Sequence, residues 1–148
     1  MTGLAYPAPG DPLIQVWRGS AATLVDATAD KGPVWWLRGA RMRTRRGLMD
    51  EWAAAAQFPP YFGGTWDALR DALADLPEGG TFLILDAEQL FQEAPPVDGI
   101  TWLAVLRAAA EELAPKPLRV ILQAEPTHFQ GLETGLRALL EGCPEGLN

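Results

Sequence analysis

Three short apolar runs, residues 34–38, 81–85 and 118–123, constrain this chain more than any other feature, because segments with helical periodicity separate them. Runs of five or six apolar residues bounded by turn signals suit strands buried on both faces, as in parallel sheets covered by helices. Trp35 and Trp36 stand side by side in the first run, which ends at Gly39. Thr44 is placed to cap a helix reaching about Gln57, with Leu48, Trp52 and Ala55 at i, i+4 and i+7. Phe58-Pro59-Pro60 stops it, Tyr61-Phe62-Gly63-Gly64 is a turn, and Thr65 caps a second helix reaching about Leu76. Asp86 is expected to cap a brief helical turn through Phe91, with a loop over 93–99 and a helix over 100–113. Pro126 opens a last amphipathic helix with Phe129, Leu132, Leu136 and Leu139 on one stripe. At the other end, residues 1–12 read as a loose lead-in, and 13–18 and 22–27 as two strands of a hairpin around Gly19-Ser20. The sum is an α/β domain with a small parallel sheet flanked by helices.

Charge is distributed unevenly. The net charge is −7, and residues 65–100 hold eight acids against one base, which equals the whole of it. The opposite pole is Arg38, Arg41, Arg43, Arg45 and Arg46, five bases within nine residues. An acidic chain of this kind is a poor nucleic-acid binder, since phosphate backbones demand a basic footprint. No apolar stretch is long enough for a bilayer and no basic-then-apolar start marks a secretory signal, so a cytoplasmic protein is expected. The one cysteine, Cys143, rules out an intramolecular disulfide and reads as an idle thiol.

The second helix carries the most functional information. Stepping 100° per residue from Trp66 gathers Ala68, Leu69, Ala72, Leu73 and Leu76 on one apolar face. Asp67, Asp71 and Asp75 form an acidic ridge opposite, with Trp66 on the border beside Arg70. Like charges at i, i+4 cost about 0.2–0.5 kcal/mol per pair, partly offset where Asp67 meets the positive end of the helix dipole. Such a ridge fits an ordinary solvated face. Flanked by Tyr61 and Trp66, it equally fits a protein interface, in which aromatic anchors sit beside complementary charge.

Catalytic alternatives have little material. His128 is the only histidine, with no nucleophile implied beside it. Three aspartates on one ridge could in principle hold Mg²⁺ for a metal-dependent hydrolase, yet acids from a single helix rarely converge on an octahedral ion. Gly63-Gly64 before a helix lacks the Walker lysine, and Asp67 would repel a phosphate there. The arginine run fits a solvated strand end. It also fits an acidic partner or RNA, or the acidic ridge of a second copy in a homodimer.

The stretch Pro59-Pro60-Tyr61-Phe62-Gly63-Gly64-Thr65-Trp66-Asp67-Ala68-Leu69-Arg70-Asp71-Ala72-Leu73 resembles the proline–aromatic–aromatic–glycine turn and Asp-Ala-Leu-x-Asp helix of the barstar family. Leu48, Trp52 and Phe58 fall where that family has apolar residues, and 81–86 and 118–123 resemble its later strands. The resemblance covers about 34–123 of a single domain over 1–148, leaving 1–32 and 125–148 as extensions. It implies a barstar-like sheet of about three core strands, to which the N-terminal hairpin and C-terminal helix read from the residues are added. It also implies a non-enzymatic, cofactor-free inhibitor, an immunity or antitoxin protein of bacterial type, whose partner is a cationic extracellular-type ribonuclease or toxin domain. The family's docking roles fall on Tyr61, Asp67 and Asp71, with Gly63, Thr65, Trp66 and Arg70 lining the contact. A family-fold interaction module with a non-ribonuclease partner is the alternative. The chain departs from the family pattern at Thr65, where the family has asparagine, and at Arg70, where it has an aromatic. It also lacks the family's glutamate near Ala108.

Overall fold

In the computed structural model, which describes residues 13–30 and 32–141, four strands form one sheet in the order β1-β4-β3-β2. These are β1 (Ile14–Arg18), β2 (Val34–Arg38), β3 (Gly80–Leu85) and β4 (Leu118–Ala124). All three pairings are parallel, with Ile14 opposite Val120, Val34 opposite Thr81 and Phe82 opposite Val120. The helices are α1 (Ala21–Ala27), α2 (Arg45–Ala56), α3 (Trp66–Ala74), α4 (Pro96–Leu113) and α5 (Phe129–Glu141). The lead-in over 1–12 and Cys143 lie outside the described residues.

The pleat of each strand sorts its side chains between two unequal layers. Phe82 and Ile84 of β3, Val120 and Leu122 of β4 and Ile14 and Val16 of β1 join the main core beneath α2, α3, α4 and α5. Trp35 stacks on Phe82 at 4.6 Å and Trp52 of α2 closes on the same ring at 4.3 Å. The alternate residues Trp17, Leu83 and Ile121 form a smaller cluster with Leu24 and Val25 of the short α1, flanked by Val34 and Leu85. On that face Trp36 is 57% exposed.

The expected N-terminal hairpin is absent. Residues 22–27 are helical, and β1 pairs in parallel with β4, so the sheet has four strands rather than three. The cause is local. Ser20 caps the helix by accepting from the Thr23 amide at 3.1 Å, while the Thr23 hydroxyl donates to the Ser20 carbonyl at 2.8 Å. That pairing turns a β-prone Thr-Leu-Val run into the first turn of a helix. Asp86 does not cap either. It sits in the left-handed region at φ 54°, and its amide donates to Gln123 Oε1 at 2.9 Å. Helix α4 begins at Pro96 instead of residue 100, because proline at the first helical position needs no amide partner. A 3-10 turn, Pro126–His128, precedes α5.

Candidate functional site

Between α2 and α3 the chain runs through two prolines and two glycines, and packing fixes its course. Gln57 ends α2 in the left-handed conformation at φ 54°. The Phe62 amide donates to the Pro59 carbonyl at 2.9 Å, and the rings of Phe58 and Phe62 approach to 5.1 Å against the core. With Phe62 turned inward, its neighbour Tyr61 is left 87% exposed, an unusual position for so large an aromatic. Gly63 adds no side chain to the turn, and Gly64 supplies a positive φ of 71° just before the helix.

Thr65 then caps α3, its Oγ1 accepting from the Ala68 amide at 3.1 Å. Leu69 and Leu73 are fully buried and Leu76 nearly so, which holds the helix against α4. Burying a leucine side chain contributes about 1.5–3 kcal/mol, so these residues fix the rotation of α3. Asp67, Asp71 and Asp75 consequently lie exposed along one edge, with Trp66 half-buried beside them. The carboxylates of Asp67 and Asp71 enter no hydrogen bond or salt bridge with the described residues.

Arg70 differs from its acidic neighbours. Its Nε donates to Glu112 Oε1 of α4 at 2.9 Å, and one terminal nitrogen reaches the same oxygen. That hydrogen bond and the charge of Glu112 hold the guanidinium above its usual range, with Asp71 and Asp67 adding in the same sense. It is therefore a cation at every accessible pH, anchored to the neighbouring helix. Glu112 escaped the sequence reading because nothing in local spacing says that the end of α4 faces the middle of α3.

The structure divides the arginine run. Arg43 is half-buried and tied to Glu93 at 3.0 Å and to Gln89 at 2.9 Å, so it holds the Ala87–Gln89 turn in place. Arg38, Arg41, Arg45 and Arg46 remain exposed. Arg45 and Arg46 stand at a groove of about 650 Å³ between α2 and the 58–64 turn, with Phe58, Phe62 and Gly63 on its opposite wall.

The surface thus brings Tyr61, Gly63, Thr65, Trp66, Asp67, Arg70 and Asp71 onto one continuous turn-and-helix unit. Among the described residues no three of His, Cys, Asp or Glu gather where they could hold a metal ion. His128 is exposed and lies 3.9 Å from Glu88. Among the described residues no helix is long and apolar enough to cross a membrane.

Comparison with known proteins agrees with this arrangement. The family described as Barstar (barnase inhibitor) matches residues 33–125, which include β2, β3, β4 and the whole turn-and-helix unit. No curated protein matches the chain. The match spans well over half of the sequence and the sheet-and-helix order agrees with it: the chain belongs to the barstar family.

Proposed function

We propose that this protein inhibits a cationic microbial ribonuclease by seating the 61–65 turn and α3 in the nuclease active site. One observation carries the reading. An 87% exposed tyrosine stands directly before a capped helix whose aspartates, Asp67 and Asp71, are spent on no internal bond. Aromatic side chains are the preferred anchors of protein interfaces, and unpaired surface acids steer a basic partner from a distance. In this reading Asp67 and Asp71 occupy the place of substrate phosphate among the nuclease's basic side chains. Tyr61 and Trp66 supply contact area, and Gly63 and Thr65 let the partner approach the backbone.

The test is titration into small ribonucleases of the barnase and guanyl-specific kinds while RNA cleavage is followed. Stoichiometric inhibition that is lost in Asp71→Ala supports the reading. Inhibition that survives Asp67→Ala and Asp71→Ala together would sink it.

A second reading, an interaction module for a partner other than a ribonuclease, is favoured by the groove beside Arg45 and Arg46. Its apolar wall and basic rim suit an acidic segment. Pull-down with Arg45→Glu/Arg46→Glu separates it from the first, because the inhibitor reading leaves those arginines outside the contact.

A further inference from the structure

A second concavity, about 290 Å³, lies between α4, α5 and the turn after β3, remote in sequence from the 61–71 unit. Its walls are apolar except at one place. Leu90, Phe91, Ile100, Leu132, Leu136 and Leu139 are among its apolar lining, and Glu88 is the one ionisable residue there. Glu88 Oε1 is buried and finds no hydrogen-bond partner among the described residues. Its other oxygen lies 3.9 Å from Nδ1 of the exposed His128 imidazole, too long for a hydrogen bond. Trp102, 1% exposed, also lines the space, and its Nε1–H has no acceptor among the described residues. A buried carboxylate oxygen left unmatched is costly, and the cost is relieved by a donor that pairs with it.

The shape of α5 agrees. Glycine is the poorest helix former after proline, yet Gly131 and Gly135 stand inside this helix, four residues apart, on the cavity wall. A Cβ at either would meet nothing within 4 Å, so internal packing does not call for them. Gly99 is different, since a Cβ there would come within 2.6 Å of Leu139 Cδ1. The two α5 glycines leave the mouth of the cavity open. The position suits a ligand too: Ala87 and Glu88 follow β3 directly and Leu122 is near the end of β4, and ligands of open α/β sheets bind at the carboxyl ends of strands.

We propose that this cavity binds a small organic cation, a primary amine on an apolar body the size of one ring and a short chain. Benzene fills an apolar cavity of about 150 Å³, so 290 Å³ leaves room for a ring and its ammonium-bearing arm. The ammonium pairs with Glu88, and the ring lies among the apolar side chains beside Trp102. Six of the seventeen lining residues belong to α5, beyond residue 125 where the family match ends, and none belongs to the 61–71 unit.

Phenethylamine is the probe, with phenylacetate as a control of the same size and opposite charge. Titration of the full chain, followed by ¹H–¹⁵N spectra, should move the assigned Trp102 indole resonance with a Kd on the order of 0.1–1 mM. Phenylacetate should bind at least about tenfold more weakly, and Glu88→Gln should weaken the amine by a similar factor. Gly135→Leu, which overhangs the mouth without touching the packed wall, should abolish binding while the spectrum stays dispersed. No shift of the Trp102 resonance up to about 10 mM amine overturns the proposal. So does equal binding of amine and carboxylate, or undiminished binding by a folded Gly135→Leu protein.

Discussion

Arg70 of α3 and Glu112 of α4 are joined by a hydrogen bond of 2.9 Å from Nε to Oε1, which clamps the only base among the ridge acids to the neighbouring helix. The clamp decides what a basic partner meets. With Arg70 neutralised by Glu112, the field over the exposed edge of α3 is set by Asp67, Asp71 and Asp75. Glu112→Gln should free the cation to sit over the ridge and weaken binding of a cationic nuclease about two- to fivefold at low salt. Arg70→Gln should do the reverse. Association rates by stopped flow at two ionic strengths check both, because the difference must shrink as salt rises.

Asp71→Ala is expected to separate binding from stability. The residue is exposed and bonded to nothing described, so unfolding in urea should change by less than about 0.5 kcal/mol. As an interface hot spot it should cost at least 2 kcal/mol of affinity, roughly thirtyfold. Calorimetric titration together with urea melts reads both quantities. A protein that unfolds while still binding would remove Asp71 from the interface.

Thr65 acts on the helix itself. Thr65→Ala removes the acceptor for the Ala68 amide and should cost about 1 kcal/mol of stability. Thr65→Asn keeps a side-chain oxygen at the cap and should be close to neutral. The pair, measured by denaturant unfolding, distinguishes a cap from a mere surface threonine.

Gly39 closes β2 where the chain passes beneath the backbone of Asp86. A Cβ there would fall only 2.2 Å from the Asp86 carbonyl oxygen, and backbone cannot swing aside as a side chain can. Gly39→Ala should therefore destabilise the fold by about 2–3 kcal/mol, visible as a lowered midpoint in thermal unfolding.

The legible parts of this structure were those written in local chemistry. Val34–Arg38 is the strand expected, Thr44 and Thr65 cap α2 and α3, and the wheel that put Leu69 and Leu73 inward also put Asp67 and Asp71 outward. What failed was whatever depends on a distant partner. The 22–27 segment has a strand-like composition, but a strand needs a neighbour; β1 found β4 across about a hundred residues, and Ser20 offered the next segment a helix cap instead. The Arg70–Glu112 pair and the cavity beside Glu88 are invisible for the same reason, because each joins elements that only the packing of α4 brings together.

Gln123 is the polar residue on which that long-range assembly turns. It is fully buried near the end of β4. Its Nε2 donates to the Gly19 carbonyl beyond β1 at 2.6 Å, and its Oε1 accepts from the Asp86 amide beyond β3 at 2.9 Å. One side chain thus ties the ends of three adjacent strands and joins the N-terminal strand to the part of the chain that matches the family. Gln123→Leu fills the same volume and satisfies neither group. Two backbone groups without partners, at about 1–3 kcal/mol each where water is excluded, predict a loss of about 2–6 kcal/mol. Gln123→Glu should recover less than a full glutamine, since a carboxylate can still accept from Asp86 but cannot donate to Gly19. Hydrogen exchange should show the loss first at the Asp86 amide, which donates to Gln123, ahead of β3 and β4. If Gln123→Leu instead melts at the parent temperature, the link between β1 and the rest of the sheet is carried by the β1–β4 ladder alone.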